Sequence, residues 1–399
     1  MNLKGIGQFN ECYLPILDGV SLTVKNYALW LNRKVAPTIV VTPSFPGYTD
    51  ADEFKVIRYL SGPLPIRKPY RFGLAYFDHK INENLLKIPL GIIHTHSPFS
   101  AGSLAIRIAR KKGIPLVATF HSKFRDNLEM HFSNRHIVDH LIKNIISIYE
   151  AADEVWIPQA KVEETIRSYG YRGSLEVVEN GIDLVQPLDI SSFRMQSRLL
   201  MGFKPDDFIL LYVGQHILEK NLKFLVESLR LSPIQKFTAL FVGDGYAKPL
   251  LERMVQEYGL ADKVKFIGIV SDREQLKRIY ACADLFLLPS LYDTFSLVMR
   301  EAASMQTPSL LIKDSNVAEF IQDGINGYVS ENNENSFMQK ISELYTRKDD
   351  IKAVGGNASL TLCKSWENII DEVQDRYFNL IKRKSKLSPL TRSVTYSSV

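Results

Sequence analysis

The segment between residues 289 and 303 places two carboxylates around the start of a predicted helix. Asp293 lies in a loop that directly follows the apolar run Leu285–Leu288, and Glu301 comes eight positions later, about one turn into the helix. A carboxylate in this position can accept hydrogen bonds from ribose hydroxyls, and the backbone N–H groups around Phe295–Val298 can bind phosphate at the helix N-terminus. The alternative is a capped helix with a surface glutamate, and the combination of residues favours a ligand site.

Glycine turns follow two other predicted strands of the second half. Gly214 ends one strand, and Lys220 stands just before the next helix, where a lysine can bind a diphosphate as a point charge. A single lysine near a helix start is more often only solvated. Gly243 and Gly245 supply half of a dinucleotide-binding fingerprint, so the sequence does not predict NAD binding.

Polar residues also follow predicted strands in the first half. Gly19 precedes a helix that begins near Ser21, and a glycine there lets N–H groups approach an anion, although a plain turn glycine is the alternative. His94 and His96 end one predicted strand, and His121 ends the next. Because ligands bind beyond the carboxyl ends of parallel strands, both places are candidate sites.

No residue pattern indicates a metal site. His136 and His140 have the i, i+4 spacing of metal ligands, but neither an HExxH motif nor a neighbouring carboxylate or thiol cluster accompanies them.

Short apolar runs alternate with amphipathic segments along both halves of the chain, which predicts two parallel sheets covered by helices on both faces. The predicted strands are Ile39–Val41, Gly91–His94, Leu116–Thr119, Glu154–Ile157, Phe208–Val213, Phe237–Val242, Val264–Ile267, Leu285–Leu288 and Ser309–Ile312. The predicted helices are Ser21–Asn32, Ala101–Lys112, Arg135–Ala151, Leu222–Arg230, Ala247–Tyr258, Asp272–Ala281, Leu297–Met305 and Trp366–Ile381. We therefore expect two doubly wound α/β domains.

The boundary between the two domains is predicted in the stretch from Asp183 to Asp206, which contains two prolines and shows little periodicity. This division gives an N-terminal domain over residues 1–185 and a second domain over residues 186–365. A helix over residues 366–381 and a basic tail over residues 382–399 complete the chain.

The composition of the 399 residues is that of a globular protein, with 45% hydrophobic and 23% charged residues. The net charge of +5 is too mild to indicate a nucleic-acid partner, and it lies entirely in the five basic residues after Ile381. Three widely spaced cysteines predict a reducing compartment. Neither a secretory leader nor an 18-residue apolar stretch is visible, so we expect a cytoplasmic protein that does not span a membrane.

Taken in order along the chain, seven motifs resemble those of the retaining glycosyltransferases of family 4. They are Asp18-Gly19-Val20, His96–Phe99, Thr119-Phe120-His121, Val178–Asp183, Lys220-Asn221, Val242–Gly245 and Asp293–Glu301. The resemblance covers about Ile6 to Tyr377 and is greatest to bacterial enzymes that glycosylate lipids or the cell envelope. It implies an α/β GT-B fold, with two Rossmann-like doubly wound domains facing a central cleft.

The resemblance also implies roles for individual residues. Gly19 matches the glycine that lies against the donor diphosphate, and His121 matches the histidine near the donor sugar. Lys220 matches the lysine that neutralises the diphosphate leaving group. Asp293 and Glu301 match the two carboxylates of the E-x7-E motif, which lie near the transferred sugar and on the donor ribose respectively. These matches make His121, Lys220 and Asp293 the candidate catalytic residues.

Further donor contacts are implied along the second domain. Val270 lies where the family holds the nucleotide base by backbone contacts. The remaining donor-binding candidates are Gly214, Gln215, Phe295, Ser296, Leu297 and Val298. Candidates on the acceptor side are Asp18, His96 and Lys123.

Three residues depart from the family pattern. Gln215 replaces the usual arginine and removes a positive charge, which Lys220 alone or Lys220 with Arg300 or Lys123 would then have to supply. Asp293 is one methylene shorter than the usual glutamate, and Ser296 replaces a glycine.

The implied activity is retaining transfer of a hexose from a nucleotide sugar, of the UDP-glucose type, to a membrane lipid or cell-envelope glycan. The resemblance implies no cofactor and no required metal. Two alternatives remain open, a non-catalytic sugar-nucleotide-binding subunit and a sugar-nucleotide 2-epimerase. A mixed basic and aromatic segment at 67–77, an apolar segment that ends in cations at 101–112, and the basic tail suggest contact with the anionic inner face of the cell membrane. The alternative is that these segments are solvated helix faces and loop aromatics buried in a core.

Overall fold

The computed structural model describes residues 3–64 and 68–393, which form two compact units. Unit 1 consists of two chain segments, one that ends at Gly181 and one that begins at Ser365, and unit 2 comprises Ile182–Lys364 between them. Each unit contains its own parallel sheet.

The strands of unit 1 are β1 (Ile6–Phe9), β2 (Thr38–Pro43), β3 (Lys55–Tyr59), β4 (Ser61–Pro63), β5 (Arg71–Gly73), β6 (Ile92–Thr95), β7 (Leu116–Thr119), β8 (Glu154–Ile157) and β9 (Glu176–Val177). Unit 2 contains β10 (Ile209–Val213), β11 (Thr238–Val242), β12 (Val264–Gly268), β13 (Leu285–Leu288), β14 (Ser309–Ile312) and β15 (Tyr328–Ser330).

The helices of unit 1 before the crossing to unit 2 are α1 (Gly19–Lys34), α2 (His79–Lys87), α3 (Ser100–Lys112), α4 (Phe124–His131), α5 (Arg135–Glu150) and α6 (Val162–Ser168). Unit 2 contains α7 (Ile190–Leu200), α8 (Leu222–Arg230), α9 (Lys248–Glu257), α10 (Arg273–Cys282), α11 (Leu297–Ser304), α12 (Glu334–Tyr345) and α13 (Lys348–Leu362). The last helix, α14 (Trp366–Ser393), belongs to unit 1.

Both sheets have the doubly wound arrangement that the sequence pattern predicts. The larger sheet has the order β3-β2-β1-β6-β7-β8-β9, and the smaller has the order β12-β11-β10-β13-β14-β15, with parallel pairing throughout. Every residue of β1, β2, β6, β7, β10 and β13 is buried. Because helices cover both faces of these central strands, the strands are continuous apolar runs rather than alternating ones.

Every predicted strand and helix is observed, but the structure also contains elements that the sequence pattern does not predict, among them the helices α2, α4, α6, α7, α12 and α13. α7 lies inside the stretch expected to have little periodic structure. Asp189 caps it by accepting from the Ser192 amide at 2.9 Å, and Arg198 is buried in an ion pair with Asp284 at 2.7 Å. Because a charged side chain occupies an inward position of this helix, its hydrophobic periodicity is hidden in the sequence.

The expected end of the last helix at Ile381 is wrong, because α14 continues to Ser393. Lysine and arginine favour helical backbone, so the basic composition after Ile381 does not end the helix. Arg383 and Lys384 also form ion pairs with Glu154 and Asp153 at the start of β8. The final six residues of the predicted basic tail, 394–399, lie outside the described residues.

The helix α14 completes the core of unit 1. Its buried side chains Trp366, Ile370, Val373 and Tyr377 pack with residues of α1 and of β1, β6, β7 and β8 in one hydrophobic cluster. No helix among the described residues is long and apolar enough to cross a membrane.

Candidate functional site

The loops that follow β10, β11 and β12 in unit 2 are joined by backbone hydrogen bonds. The Gly214 amide donates to the Val242 carbonyl at 3.0 Å, and the Gly243 amide donates to the Gly268 carbonyl at 2.8 Å. Gly243 has a φ of 128°, and a Cβ atom there would overlap the Gly214 carbonyl oxygen. Glycine is therefore required where these loops cross, and the crossing fixes the backbone around Gly214 and Gln215.

A buried tyrosine, Tyr212, also stabilises the turn at Gly214. The Tyr212 hydroxyl donates to the Gln215 carbonyl at 3.0 Å, and a Cβ atom on Gly214 would lie 2.7 Å from that hydroxyl oxygen. Burial, with the nearby Asp293 carboxylate as a second cause, raises the pKa of Tyr212 well above its usual value, so the hydroxyl stays protonated and remains a donor.

Lys220 and Asp293 form a partly buried ion pair in this part of unit 2. Lys220 ends a short 3-10 helix that Asn221 terminates in left-handed backbone (φ 59°), and the Asn221 side chain donates to the Pro289 carbonyl at 3.2 Å. That bond joins the start of α8 to the loop after β13. The lysine binds Asp293 through Oδ1, whereas Oδ2 has no hydrogen-bond partner within the described parts of the chain.

Glu301 is a buried carboxylate on α11 that receives two hydrogen bonds from α10. Arg273 donates to Oε1 at 2.7 Å, and the Tyr280 hydroxyl donates to Oε2 at 2.8 Å. Arg273 also forms an ion pair with Asp183. Burial raises the pKa of Glu301, and Arg273 acts against that rise.

The N-terminus of α11 lies between Asp293 and Glu301 in the chain. Ser296 is its N-cap residue, has a φ of 20°, and accepts from the Met299 amide at 3.3 Å. A glycine would adopt this backbone more easily, which agrees with the departure at this position noted in the sequence. Phe295 is buried under the Arg300 guanidinium, whose central carbon lies 3.6 Å from the ring centroid. Leu297 and Val298 form the first turn, where helix geometry leaves amide groups without intrahelical acceptors.

The residues that the sequence assigned to donor binding therefore gather in unit 2 at the carboxyl end of its sheet. Gly214 and Gln215 follow β10, Val270 follows β12, and residues 293–301 follow β13. Gly19, which the resemblance also assigned to the donor, lies in unit 1. It is the first residue of α1, and a Cβ atom there would meet nothing within 4 Å, so the fold of unit 1 itself does not require glycine.

Three histidines form a buried hydrogen-bonded network in unit 1. His96 Nε2 lies 2.7 Å from Gln8 Oε1, and His96 Nδ1 lies 3.0 Å from His121 Nε2. His94 lies 2.7 Å from the hydroxyls of both Tyr377 and Thr119. The network joins β1, β6 and α14 to the chain at and just after the end of β7.

The hydrogen-bond acceptors in this network show which ring nitrogens of His96 and His121 carry a proton. Gln8 Oε1 can only accept, so His96 carries its proton on Nε2, and Nδ1 then accepts from His121 Nε2–H. Gln8 Nε2 donates to the Tyr377 oxygen at 3.3 Å. Burial lowers the pKa of His94 and His96 well below the usual value and that of His121 to about 3, so all three rings are neutral at neutral pH.

The acceptor-side candidates have structural partners. Asp18 is the N-cap residue of α1, where it accepts from the Ser21 amide at 2.7 Å and from the Tyr70 hydroxyl at 3.0 Å. Lys123 is the N-cap residue of α4, and His96 belongs to the histidine network.

Sequence reasoning missed Arg273, Tyr280, Gln8 and Tyr377, because their partners are distant in the chain. For Arg273, the signal available in the sequence was its position at the start of the helix that follows Val270, a donor-binding candidate. No three His, Cys, Asp or Glu side chains converge as a metal site would require within residues 3–64 and 68–393.

Family models match both halves of the chain. Residues 17–186 match the Glycosyltransferase Family 4 model, and residues 200–360 match the Glycosyl transferases group 1 model. The chain is 25% identical over 398 residues to an alpha-monoglucosyldiacylglycerol synthase of Acholeplasma laidlawii, covering 96% of this chain and 98% of that protein. It is also 25% identical to the enzyme of the same name from Streptococcus pneumoniae, over 81% of this chain and 74% of that protein.

Solved structures agree with the architecture. Sucrose-phosphate synthase from Thermosynechococcus elongatus superposes with a TM-score of 0.77 at 20% identity, covering 99% of this chain and 100% of that one. HepE from Anabaena, solved with UDP and glucose, gives a TM-score of 0.75 at 17% identity, with 94% and 99% covered. With both halves matched by glycosyltransferase models, the chain belongs to the glycosyltransferases, with a Family 4 domain in its first half and a group 1 domain in its second, and it has the GT-B fold.

Proposed function

We propose that the chain is a retaining hexosyltransferase that moves a glucose-type sugar from a UDP-sugar to a membrane lipid or cell-envelope glycan, forming an α-glycosidic bond. The observation that carries the proposal is the Lys220–Asp293 pair beside the N-terminus of α11 at the carboxyl end of the unit 2 sheet. The names of the two glucosyldiacylglycerol synthases support glucose as the sugar and a lipid as the acceptor.

The proposed reaction breaks the bond between the anomeric carbon and the diphosphate oxygen. A bond to the acceptor hydroxyl oxygen forms on the same face, and the acceptor proton passes to the departing diphosphate. Lys220 and the first-turn amides of α11 stabilise the negative charge that develops on the leaving group. Asp293, His121 and Gly19 take the sugar and diphosphate contacts that the family resemblance implies.

The nucleoside part of the donor is proposed to lie along α10 and α11. Glu301 accepts from the ribose hydroxyls, and the backbone at Val270 contacts the base. The proposal includes no cofactor and no required metal, since Lys220 supplies the charge on the leaving group. Transfer is therefore expected to persist in excess EDTA.

A lipid acceptor brings unit 1 to a membrane surface in this proposal, and the enzyme is then peripheral on the inner face of the cell membrane. Phe72, Tyr76 and Phe77 of unit 1 are exposed, with Tyr76 exposing 76% of its surface and Phe77 67%. Lys68 and Arg110 are exposed cations of the same unit, while Arg67 lies outside the described residues. Exposed aromatic side chains combined with cations suit the interface of an anionic membrane.

Not every cation of the basic segments is available to lipid. Lys112 donates to the carbonyls of Leu86 and Ile88, and Arg383 and Lys384 pair with acids at the start of β8. The proposed membrane contact therefore depends on the exposed aromatic side chains more than on the total charge.

A donor screen tests the function directly. The protein is incubated with UDP-glucose, UDP-galactose, UDP-GlcNAc or GDP-mannose, with and without vesicles containing diacylglycerol, and nucleotide release is measured. UDP release that depends on both UDP-glucose and vesicles, with an α-anomeric product by NMR coupling, is expected. A β-anomeric product contradicts retention.

The same screen separates the alternative functions. An altered free sugar formed without acceptor indicates an epimerase. Nucleotide binding without turnover on any lipid or glycan acceptor indicates a non-catalytic subunit, the alternative that Gln215 and Asp293 favour as departures from the family pattern.

A further inference from the structure

Arg273 lies against two carboxylates at the edge of the proposed nucleoside site. Its guanidinium donates to Glu301 at 2.7 Å and pairs with Asp183, which is the second residue of unit 2. The arginine side chain is 37% exposed, whereas that of Glu301 is only 7% exposed. The arginine thus reaches from the surface of unit 2 to a carboxylate that is nearly closed off from water.

The hydrogen bonds to Glu301 leave capacity for a ligand. An ionised carboxylate offers about four acceptor positions. In the described structure two are taken, Oε1 by Arg273 and Oε2 by the buried Tyr280 hydroxyl. One position on each oxygen is left, and such a pair suits two adjacent hydroxyls of one ring.

This arrangement works only while Glu301 is ionised and held in one orientation. Burial opposes ionisation, and Asp183 opposes it as well, whereas the bonds from Arg273 and Tyr280 favour it. Arg273 is the one cation among these groups. Without Arg273, the Glu301 carboxylate would take up a proton more readily, and that proton would occupy one of its acceptor positions.

We infer that Arg273 is a positioning residue for the donor site, which keeps Glu301 charged and oriented so that its two remaining acceptor positions bind the vicinal diol of the donor ribose. The inference rests on the proposed function, because it deepens the role of Glu301 in donor binding. Asp183 pairs with the same guanidinium nitrogen, Nη2, that donates to Glu301, and this second carboxylate thereby helps to hold the nitrogen in place.

The test compares wild-type protein with Arg273→Gln and Arg273→Lys, using UDP-glucose and 2′-deoxy-UDP-glucose as donors. Arg273→Gln is expected to raise the KM for UDP-glucose about ten- to a hundredfold, since hydrogen bonds to charged groups are the strong ones. Arg273→Lys is expected to recover part of that loss. In the wild type, the KM for 2′-deoxy-UDP-glucose is expected to be higher than that for UDP-glucose. The ratio of these two KM values is expected to be smaller in Arg273→Gln.

A pH series gives a second readout. The donor KM is expected to rise as the pH falls, because Glu301 becomes protonated, and this rise is expected to begin at a higher pH in Arg273→Gln than in the wild type. Arg347→Gln, which removes an exposed ion pair with Asp350 at 2.6 Å in the same unit, serves as the control and is expected to match wild type.

The outcomes distinguish this inference from the proposed function. Equal KM for wild type and Arg273→Gln overturns the inference alone, and so does a KM that rises by the same factor for both donors. A wild-type protein that binds no UDP-sugar overturns the proposed function and this inference with it. Circular dichroism of each variant confirms that the fold is retained, and Arg273→Lys keeps the test informative if Arg273→Gln unfolds.

Discussion

Individual side chains at the carboxyl end of the unit 2 sheet combine structural and chemical roles. Lys220 is bound to Asp293 in the structure, so a donor diphosphate would have to share the lysine with that carboxylate. Gln215 brings no charge to the loop after β10. Arg300, on α11, is buried with its guanidinium against the Phe295 ring. At the residue scale, Lys220 is therefore the cation on which leaving-group stabilisation is expected to depend.

Replacing Lys220 with alanine is expected to lower kcat by about 10²- to 10³-fold, the range seen when one donor to a developing anion is removed. Lys223→Ala, three residues along on the exposed face of α8, is the matched control and is expected to keep full activity. Full transfer activity in folded Lys220→Ala protein would contradict the proposed role.

Removing the Tyr212 hydroxyl is expected to lower the free energy of unfolding by about 1 kcal/mol, because its hydrogen bond to the Gln215 carbonyl is lost. Tyr328→Phe is the matched control in the same sheet, since that buried hydroxyl has no hydrogen-bond partner in the described residues. Urea denaturation is expected to show a loss in Tyr212→Phe and none in Tyr328→Phe. Equal effects would show that the bond does not stabilise the loop.

The elements of unit 1 are joined at their centre by polar as well as apolar contacts. The histidine network links three neighbouring strands or their ends to α14, and Trp156 stacks on Tyr377 with ring centroids 5.6 Å apart. Buried polar networks stabilise one arrangement when every member is satisfied. At the element scale, α14 is thus part of the unit 1 core.

The network predicts that acid destabilises unit 1. Burial lowers the pKa values of His94, His96 and His121 in the folded protein. Below about pH 6.5 the unfolded chain therefore binds more protons than the folded one, and the free energy of unfolding decreases as the pH is lowered. One such histidine contributes a loss of about 2 kcal/mol by pH 5. Urea denaturation between pH 5 and 7.5 measures the slope.

His121→Gln isolates the histidine contribution, since the raised pKa values of Glu11 and Glu301 act in the opposite direction. The variant is expected to show a smaller fall in stability at low pH. An identical pH slope in wild type and variant would contradict this account of His121.

The two parts of α14 are expected to differ in their contribution to stability. Trp366 is 1% exposed in the unit 1 core, and Trp366→Ala is expected to cost about 3–5 kcal/mol. Of the side-chain contacts described for residues 382–386, truncation after Ile381 removes the partly exposed ion pairs of Arg383 and Lys384, each worth about 0–1 kcal/mol. Thermal or urea unfolding compares the two proteins, and a larger loss from the truncation would contradict this assignment.

At the scale of the whole molecule, exposed apolar side chains occur on the described parts of both units. The α7 stripe of Met195, Leu199 and Leu200 in unit 2 is comparably exposed, at 62–76%. Comparing the two surfaces separates membrane affinity from simple hydrophobicity.

Replacing Phe72, Tyr76 and Phe77 together by serine is expected to abolish sedimentation with anionic vesicles at low salt, because the aromatic anchors are lost. Replacing Met195, Leu199 and Leu200 by serine is the matched control and is expected to leave sedimentation unchanged. Wild-type protein that fails to sediment with these vesicles contradicts membrane association altogether.

The sequence by itself determined the order of the elements and the strand ends on which the candidate residues lie. Buried parallel strands are short apolar runs, and glycine turns mark where they end, so Gly214, Lys220, Asp293 and Glu301 could be placed after particular strands. Where a charged side chain faces inward, as Arg198 does in α7, the same periodicity argument failed.

The tertiary structure alone decided which side chains meet. Tyr377 reaches His94 across 283 residues, and Arg273 reaches Glu301 from the neighbouring helix. Local periodicity reports only whether a residue faces the core, and contacts between distant segments depend on how the helices pack on the sheet. For that reason the carboxylates were visible in the sequence, whereas the partners that set their charge and orientation were not.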